Sequence, residues 1–480
     1  MEVGKFYIDG TWVNPTRPHT HTEVINPATE TVITQLPLGT EADVNKAVAA
    51  AKQALTSYAK TSIGERLELL EAIRTEYKNR YQDLADAISL EMGAPKTLAE
   101  NHQTAAGLGH LKSAQTALRA HKFEWRHGTS QHILRYEAIG VAGLITPWNW
   151  PSNQIMAKLA PCLAAGCTAI LKPSEVSPLS AVIIAEICDK AGVPKGVFNL
   201  VQGLGPVVGA AMSRHPDIAL MSFTGSTRAG VAVAQDSAAT VKRVCQELGG
   251  KSANIVLDDT KFATGVAQGT QASMLNSGQS CTAPTRMLVP ASRHDEALAI
   301  AKTTAESLVV GDPASADTDL GPVANEAQYN KVQSLISRGI SEGAKLITGG
   351  TGRVEGMSRG YFVKPTVFGG VENSMTIARE EIFGPVLSVL AYQTTEDAIA
   401  IANDSTYGLA GYVTGDMTKN HETMLAIARE LQAGQIHFNY TAGGGEPPFG
   451  GYKQSGNGRE RGTWGLNEYL EIKAMLGGVD

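Results

Sequence analysis

Cysteine is scarce in this sequence of 480 residues. The five thiols are widely scattered: Cys162, Cys167, Cys188, Cys245 and Cys281. An odd, sparse set excludes the disulfide framework of a small secreted domain and favours a reduced, intracellular setting. The longest apolar run, residues 138–146, falls far short of the roughly 20 residues that span a bilayer. The first residues also lack the pattern of a signal peptide, so we expect a cytoplasmic protein without a membrane anchor.

A strong excess of charge is missing too, since 41 basic and 47 acidic residues leave a formal net charge of −6. This balance argues against general binding to nucleic acid or to a membrane surface. The 11 histidines and the cysteines show no H-x-E, H-E-x-x-H or C-x-x-C spacing, so we predict no metal site. A small-molecule pocket stays open, because such a pocket can be locally positive.

Glycine, by contrast, is abundant at 50 of 480 residues. This is above the usual ~7% and indicates many tight turns and close approaches of backbone to a ligand. The length predicts two or more domains, because one hydrophobic core stops growing beyond roughly 250–300 residues.

The periodicity of apolar residues indicates the fold class. Helical spacing over residues 41–60 and 66–89 predicts two helices, and alternation over residues 121–139 predicts a β-hairpin. From residue 138 onward, short apolar strands alternate with helices in two successive series. This rhythm predicts an α/β protein with parallel sheets covered on both faces. Residues 361–368 and the tail segment 466–475 also look like strands.

Two glycine-containing segments invite comparison with phosphate-binding loops. Gly203, Gly205 and Gly209 follow a strand, but the third glycine is one residue late for G-x-G-x-x-G, so a plain turn stays open. The segment ELGGKS, residues 247–252, matches half of a Walker A loop, but Cys245 stands where that loop needs glycine.

Cys281 is the best candidate for a reactive thiol. It is surrounded by small polar residues and glycine in residues 276–286, which leave a thiol accessible, whereas most free cysteines are inert buried residues. A Cys–His hydrolase dyad stays open as well.

Seven segments together resemble the aldehyde dehydrogenase superfamily over essentially the whole chain. In order, they are ITPWNWP (145–151), LKPSE (171–175), FTGST (223–227), ELGGKS (247–252), GQSCTAPTR (278–286), EEIFGPV (380–386) and PFGGYKQSGNGRE (448–460). The resemblance implies NAD(P)-dependent oxidation of an aldehyde to an acid through a thiohemiacetal and a thioester.

The resemblance also implies roles for individual residues. Cys281 matches the nucleophile and Glu247 the general base, which a raised pKa would suit. Asn149 matches the side chain that, with the Cys281 backbone N–H, holds the oxyanion. Lys158 and Glu460 match a pair in the proton path of the family.

The cofactor positions are implied in the same way. Lys172 and Glu175 match residues that grip the adenosine ribose, and Ser226 the pyrophosphate contact at a helix N-terminus. Glu381 matches the acid on the nicotinamide ribose, and Phe383 the ring beside it. The predicted cofactor site also includes Gly205, Gly209, Gly225 and Trp148. Because Glu175 would repel a 2′-phosphate, we favour NAD and keep NADP as the alternative.

The chain departs from the family pattern in the substrate pocket. Many members carry aromatic residues where this chain has Ala157 and the small residues of segment 441–446. We therefore expect a wide tunnel for a bulky or aromatic aldehyde, unless other side chains fill the space. The predicted pocket residues are Trp150, Gln154, Ala157, Ser280, Thr282 and Phe449.

The resemblance implies three structural parts and a bridging segment. A Rossmann-like NAD-binding domain covers 1–120 and 138–246, and an α/β catalytic domain covers 247–445. An oligomerisation hairpin and tail cover 121–137 and 461–480, and residues 446–460 bridge the parts. An edge-strand tail favours a homodimer or homotetramer.

Three other functions stay open. A CoA-acylating dehydrogenase passes the acyl group to CoA, but its relatives typically lack the base that Glu247 matches. A thiol esterase would need none of the cofactor segments. A purely structural role would not require Cys281, Glu247 and Asn149 together.

Overall fold

The computed structural model describes residues 3–478, so the outermost residues of the predicted domains, 1–2 and 479–480, lie outside it. The strands, in chain order, are β1 (Phe6–Ile8), β2 (Thr11–Val13), β3 (Thr20–Asn26), β4 (Thr31–Leu38), β5 (Glu124–Arg126), β6 (Ile133–Ala138), β7 (Val141–Ile145), β8 (Thr168–Lys172), β9 (Phe198–Leu200), β10 (Leu220–Thr224), β11 (Arg243–Glu247), β12 (Ala253–Val256), β13 (Arg286–Pro290), β14 (Lys345–Thr348), β15 (Thr366–Gly369), β16 (Val386–Tyr392), β17 (Tyr407–Gly408), β18 (Ala410–Thr414), β19 (Gln435–Phe438), β20 (Tyr452–Lys453), β21 (Gly456–Asn457) and β22 (Leu470–Met475).

Helices alternate with these strands and cover the sheets. The α-helices are α1 (Glu41–Tyr58), α2 (Ile63–Asn79), α3 (Tyr81–Met92), α4 (Lys96–Leu98), α5 (Ala105–Ala120), α6 (Pro151–Ala165), α7 (Leu179–Lys190), α8 (Ala210–Arg214), α9 (Thr227–Ser237), α10 (Phe262–Met274), α11 (His294–Glu306), α12 (Glu326–Ser341), α13 (Thr376–Arg379), α14 (Thr395–Asn403), α15 (His421–Glu430) and α16 (Gly462–Glu468).

An eight-stranded sheet is built from the strand order β2-β1-β9-β8-β7-β10-β11-β21. Its five central strands, from β9 to β11, run parallel. Strands β7, β8 and β10 are buried along their whole length because helices cover both faces, as expected of a parallel sheet. The carboxyl ends of these strands lie at one edge, where Lys172 ends β8 and Glu247 ends β11.

A seven-stranded sheet follows, with the order β14-β15-β16-β13-β12-β18-β19. All its neighbouring strands are parallel except β14 and β15. Cys281 precedes β13, and Glu381 and Phe383 precede β16, so these residues lie at the amino-terminal edge of this sheet. The two sheets with their covering helices confirm the predicted α/β fold.

A three-stranded antiparallel sheet joins the hairpin of β5 and β6 to the tail strand β22. The sequence prediction was wrong about where the tail strand begins. Residues 466–468 belong to α16, and the strand starts at Leu470. Leu466 is fully buried in the hydrophobic core beside the eight-stranded sheet. It therefore belongs to helix α16, which packs against that core, and not to the edge strand.

Two further predictions need correction, and one helix was not predicted. Residues 66–89 form two helices rather than one, because the backbone of Arg80 leaves helical geometry between α2 and α3. Residues 361–365 precede β15 and are not part of a strand. The sequence reading missed α12, although Asn325 caps it by accepting a hydrogen bond from the Gln328 backbone at 2.8 Å. No helix within residues 3–478 is both long and apolar enough to cross a bilayer.

Candidate active site

Two cavities meet at Cys281, between the carboxyl edge of the first sheet and the amino edge of the second. One cavity of about 660 Å³ is lined by Trp148, Gly225, Ser226, Glu381 and Phe383, among others. The other, of about 1160 Å³, is lined mainly by aromatic and small side chains. Cys281 and Gln154 line both cavities. A ligand in either cavity therefore reaches the same thiol.

The loop before Cys281 is held in a strained conformation. Asn276 and Ser277 have left-handed backbone angles, with φ of 58° and 54°. Such residues cost about 1–3 kcal/mol each and persist only where the surroundings determine them. The Asn276 amide donates to the carbonyl oxygens of Asn149 and Gln279, and its Oδ1 accepts from Gln103. These contacts fix the position of the thiol.

Asn149 lies beside this loop, in the turn between β7 and α6. Its side chain is buried, and its Nδ2 donates to the Gln279 carbonyl oxygen at 3.0 Å. An amide nitrogen carries two N–H groups, so a second donor is left at the wall that Asn149 shares with Cys281.

The electrostatic surroundings of Cys281 keep its thiol protonated. Burial and the nearby carboxylates of Glu381, Glu247 and Glu460 raise the pKa of Cys281 to about 12, while Arg461 acts in the opposite direction. Attack by this sulfur therefore requires a group that removes the proton as the new bond forms.

Glu247 lies at the carboxyl end of β11 and is almost fully buried. Burial and the nearby Glu460 raise its pKa well above that of an ordinary glutamate. Its Oε2 has no hydrogen-bond partner among the described residues. A carboxyl group with a raised pKa and a free oxygen that can accept a hydrogen bond has the properties of a general base.

Glu247 does not line the large cavity directly. It faces a smaller cavity of about 290 Å³, which shares Ala157 and Glu460 with the large one. In the smaller cavity the buried Lys158 ammonium contacts Glu460 Oε1 at 2.7 Å and Ser222 Oγ at 3.2 Å. The structure thus places Glu247, Lys158 and Glu460 along one polar passage.

The cavity of about 660 Å³ contains five of the predicted cofactor residues. Trp148 and Phe383 meet edge to face with their ring centroids 5.4 Å apart. Glu381 accepts a hydrogen bond from the Gly250 backbone at 3.0 Å, although burial raises its pKa. Ser226 caps the N-terminus of α9, where its Oγ accepts a hydrogen bond from the Ala229 backbone N–H.

Four other predicted cofactor residues lie outside this cavity, at the same edge of the first sheet. The Lys172 ammonium is 3.5 Å from Glu175 Oε2 and donates to the Pro173 carbonyl oxygen at 2.6 Å. The Lys172 chain also passes Gly209, since a Cβ there would lie 3.8 Å from its Cδ. Gly205 begins the irregular turn before α8 and has open space around it.

All six predicted substrate-pocket residues line the large cavity. The Trp150 indole donates to Ser280 Oγ at 2.9 Å, which ties one wall to the residue before the thiol. The sequence reading missed several other residues of the cavity, above all a stack of Tyr412 on His437 with ring centroids 4.8 Å apart. It also missed His110, Asn153, Tyr440 and Arg461. No motif marked them.

The other cysteines lie in less favourable surroundings. Cys162, Cys167 and Cys188 are buried in the first core, and burial raises the pKa of Cys188 to about 12. Cys245 is half-buried and donates to Glu468 Oε2 at 3.0 Å. None of the four lines either cavity beside Cys281.

Comparison with known proteins gives consistent matches along the chain. The model of the aldehyde dehydrogenase family matches residues 12–475. The 3-succinoylsemialdehyde-pyridine dehydrogenase of a Pseudomonas species is 53% identical over 474 residues, which are 98% of both chains. A putative aldehyde dehydrogenase of Staphylococcus haemolyticus is 49% identical over 471 residues, with the same coverage.

Solved structures are similar over the same length. Aldehyde dehydrogenase C of Pseudomonas syringae, a cysteine-to-alanine mutant in complex with NAD+ and octanal, superposes with a TM-score of 0.97 at 51% identity, covering 100% of this chain and 97% of that one. An aldehyde dehydrogenase of Bartonella henselae gives 0.95 at 47% identity, with 98% of both chains covered.

Proposed function

Because the chain belongs to the aldehyde dehydrogenase family, we propose that it oxidises an aldehyde to a carboxylic acid with NAD, through a thiohemiacetal and a thioester on Cys281. The observation that carries this proposal is the position of the Cys281 thiol at the junction of the two cavities. A panel of aldehydes monitored by NADH absorbance tests it. Acid formation without an increase in NADH would contradict it.

The residues of the cavity of about 660 Å³ fit a dinucleotide. A Cβ on Gly249 would collide with Glu381, and one on Gly225 with Phe223, so both glycines leave bare backbone beside the cavity. The buried Thr224 Oγ1 there lacks a partner among the described residues. In this proposal Lys172 and Glu175 bind the adenosine ribose, Ser226 the pyrophosphate and Glu381 the nicotinamide ribose. Bound there, NAD supplies the two-electron acceptor for the oxidation.

The chain's own groups account for the remaining steps. The Cys281 thiol gives its proton to solvent water in the cavity as the sulfur adds to the aldehyde carbon. The second N–H of Asn149 with the Cys281 backbone N–H stabilises the resulting oxyanion. After oxidation, Glu247 takes a proton from water, which attacks the thioester and releases the acid. Lys158 and Glu460 carry that proton away from Glu247. The buried base Glu247 favours hydrolysis over acyl transfer to CoA.

We expect a lower KM for NAD than for NADP. The Glu175 carboxylate would repel the 2′-phosphate of NADP by like charge. The Glu175→Gln variant lacks that charge, so KM for NADP should fall. The ratio of KM for NADP to KM for NAD should therefore decrease by about tenfold. Initial rates with both cofactors measure this, with Glu422→Gln on an exposed helix end as the control. A wild-type preference for NADP would refute the assignment.

We propose that the substrate is a bulky or ring-bearing aldehyde, because small side chains such as Ala157, Ala272 and Ala442 line the large cavity beside Cys281. We expect kcat/KM for benzaldehyde to exceed that for acetaldehyde by about 10- to 100-fold, because the larger substrate buries more apolar surface. Ala442→Phe should narrow the cavity and reduce this ratio, whereas Ala314→Phe on a distant exposed turn should not. A strong preference for acetaldehyde would defeat the proposal.

The predicted domains have different roles in this proposal. We propose that residues 1–120 and 138–246 bind the cofactor and that residues 247–445 supply the thiol. The sheet of β5, β6 and β22 leaves the edges of β5 and β22 free within the described chain, which suits pairing with another copy. We propose a homodimer or homotetramer on this basis.

A further inference from the structure

The wall of the large cavity contains a cation without a carboxylate partner. Arg461 lines this cavity, and no carboxylate of residues 3–478 lies within ion-pairing distance of its guanidinium. Its Nη1 donates to the Gly444 carbonyl oxygen at 3.1 Å, and its Nε is buried without any partner in the described chain. A buried donor left unpaired costs about 1–3 kcal/mol, so an oxygen acceptor bound beside this guanidinium would be stabilised.

The backbone and the neighbouring ring hold Arg461 in this place. Its φ of 72° is a left-handed value that an arginine adopts only at a cost. The antiparallel bridge between Phe449 and Glu460 sets the guanidinium over the Phe449 ring, 4.6 Å from the centroid. This cation–π contact leaves the plane of the guanidinium fixed and its Nε unsatisfied.

Burial lowers the pKa of the Arg461 guanidinium, although the Glu460 and Glu247 carboxylates stabilise its charge from beyond ion-pairing distance. Glu460 is engaged with the Lys158 ammonium at 2.7 Å. Burial and the positive charge of Arg461 lower the pKa of His110 to about 4, so His110 is neutral at physiological pH, with its Nε2 2.8 Å from Asn153 Oδ1. The cavity therefore combines aromatic walls with one positive group on the same surface as Cys281.

We propose that Arg461 is a substrate-binding residue that takes a second oxygen of the aldehyde, a ketone or carboxylate oxygen remote from the reacting carbonyl. The preferred substrates are then oxo-aldehydes or aldehydic acids rather than plain alkanals. This inference rests on the proposed function of the site and specifies its substrate class. A guanidinium suits this task because its forked N–H groups bind carbonyl and carboxylate oxygens directionally.

Three aldehydes of equal chain length test the proposal: pentanal, levulinaldehyde with a ketone, and glutaric semialdehyde with a carboxylate. We expect wild-type kcat/KM to be higher for at least one oxygen-bearing aldehyde than for pentanal. In Arg461→Leu, that ratio should fall by about 10- to 100-fold, the value of a charge-assisted hydrogen bond. The exposed control Arg214→Leu should keep the wild-type ratio. The ketone and the carboxylate arms tell which acceptor is preferred.

Two kinetic outcomes would overturn the proposal. One is an unchanged ratio in Arg461→Leu. The other is an equal loss for all three aldehydes, which would mean that Arg461 acts on the thiol or the fold. If Arg461→Leu fails to fold, Arg461→Lys and the wild-type preference alone decide.

Calorimetry with levulinate, glutarate and pentanoate supplies a readout without turnover. Tighter binding of levulinate or glutarate to an enzyme that oxidises no aldehyde would retain the subsite and reject the proposed function. Equal binding of all three acids would reject the subsite.

Discussion

Cys281→Ala is expected to lower aldehyde oxidation by about 10⁴-fold or more while leaving the fold intact. The change removes the sulfur that forms the covalent bond, and no other thiol lines either cavity at that junction. The loss is expected in kcat rather than in KM for the cofactor, because Cys281 supplies bond formation and the cofactor positions are separate residues. NADH absorbance with a saturating aldehyde measures the rate, and thermal unfolding checks the fold.

The matched control is Cys188→Ala, which removes a buried thiol from the core of the first sheet. It should lower the unfolding temperature slightly and leave oxidation near the wild-type rate. Ester hydrolysis offers a second readout, because an activated thiol also attacks esters. If Cys281→Ala kept the aldehyde-dependent formation of NADH, a covalent route through this thiol would be untenable.

The sequence was informative wherever local pattern and chemistry coincide. The alternation of short apolar strands and helices predicted the parallel sheets, and the resemblance to a known family identified Lys172 and Glu247 as candidate site residues. The segment boundaries were less certain, because Arg80 interrupts what reads as one continuous helical pattern. Helix α12 was missed although its buried residues Val332, Leu335 and Ile336 recur at helical spacing, so the local signal was present in the sequence.

The site could be predicted only in part, for a physical reason. The segments with strong sequence signals contain Cys281, Glu247 and Asn149, the residues that act on the reacting atoms in the proposed mechanism. The walls of the large cavity come from residues far apart in the chain, such as His110, Tyr412 and Arg461, which only the tertiary fold brings together. Arg461 directly follows the segment that ends at Glu460, yet nothing local showed that its guanidinium would face the substrate cavity.

Glu247→Gln is expected to separate the two halves of the reaction. The amide keeps the size of the carboxyl group but cannot accept a proton from water, so the thioester should accumulate on Cys281. We expect a burst of NADH close to one equivalent per active site, followed by steady turnover reduced by about 10²- to 10⁴-fold. Rapid mixing resolves the burst, and mass spectrometry of the denatured protein detects the acyl group. Glu468→Gln, a carboxylate in contact with Cys245, is the neighbouring control.

The rate of deacylation should also depend on pH through the protonation of Glu247. Glu247 is active only when deprotonated, and burial with the nearby Glu460 raises its pKa above the ordinary glutamate value. Deacylation in the wild type should therefore slow as the pH falls through that raised pKa and recover above it. In Glu247→Gln this limb should disappear, because the titrating group is gone while Lys158 and Glu460 are kept. A steady-state rate equal to that of the wild type, or an unchanged acidic limb in the variant, would mean that another group activates the water.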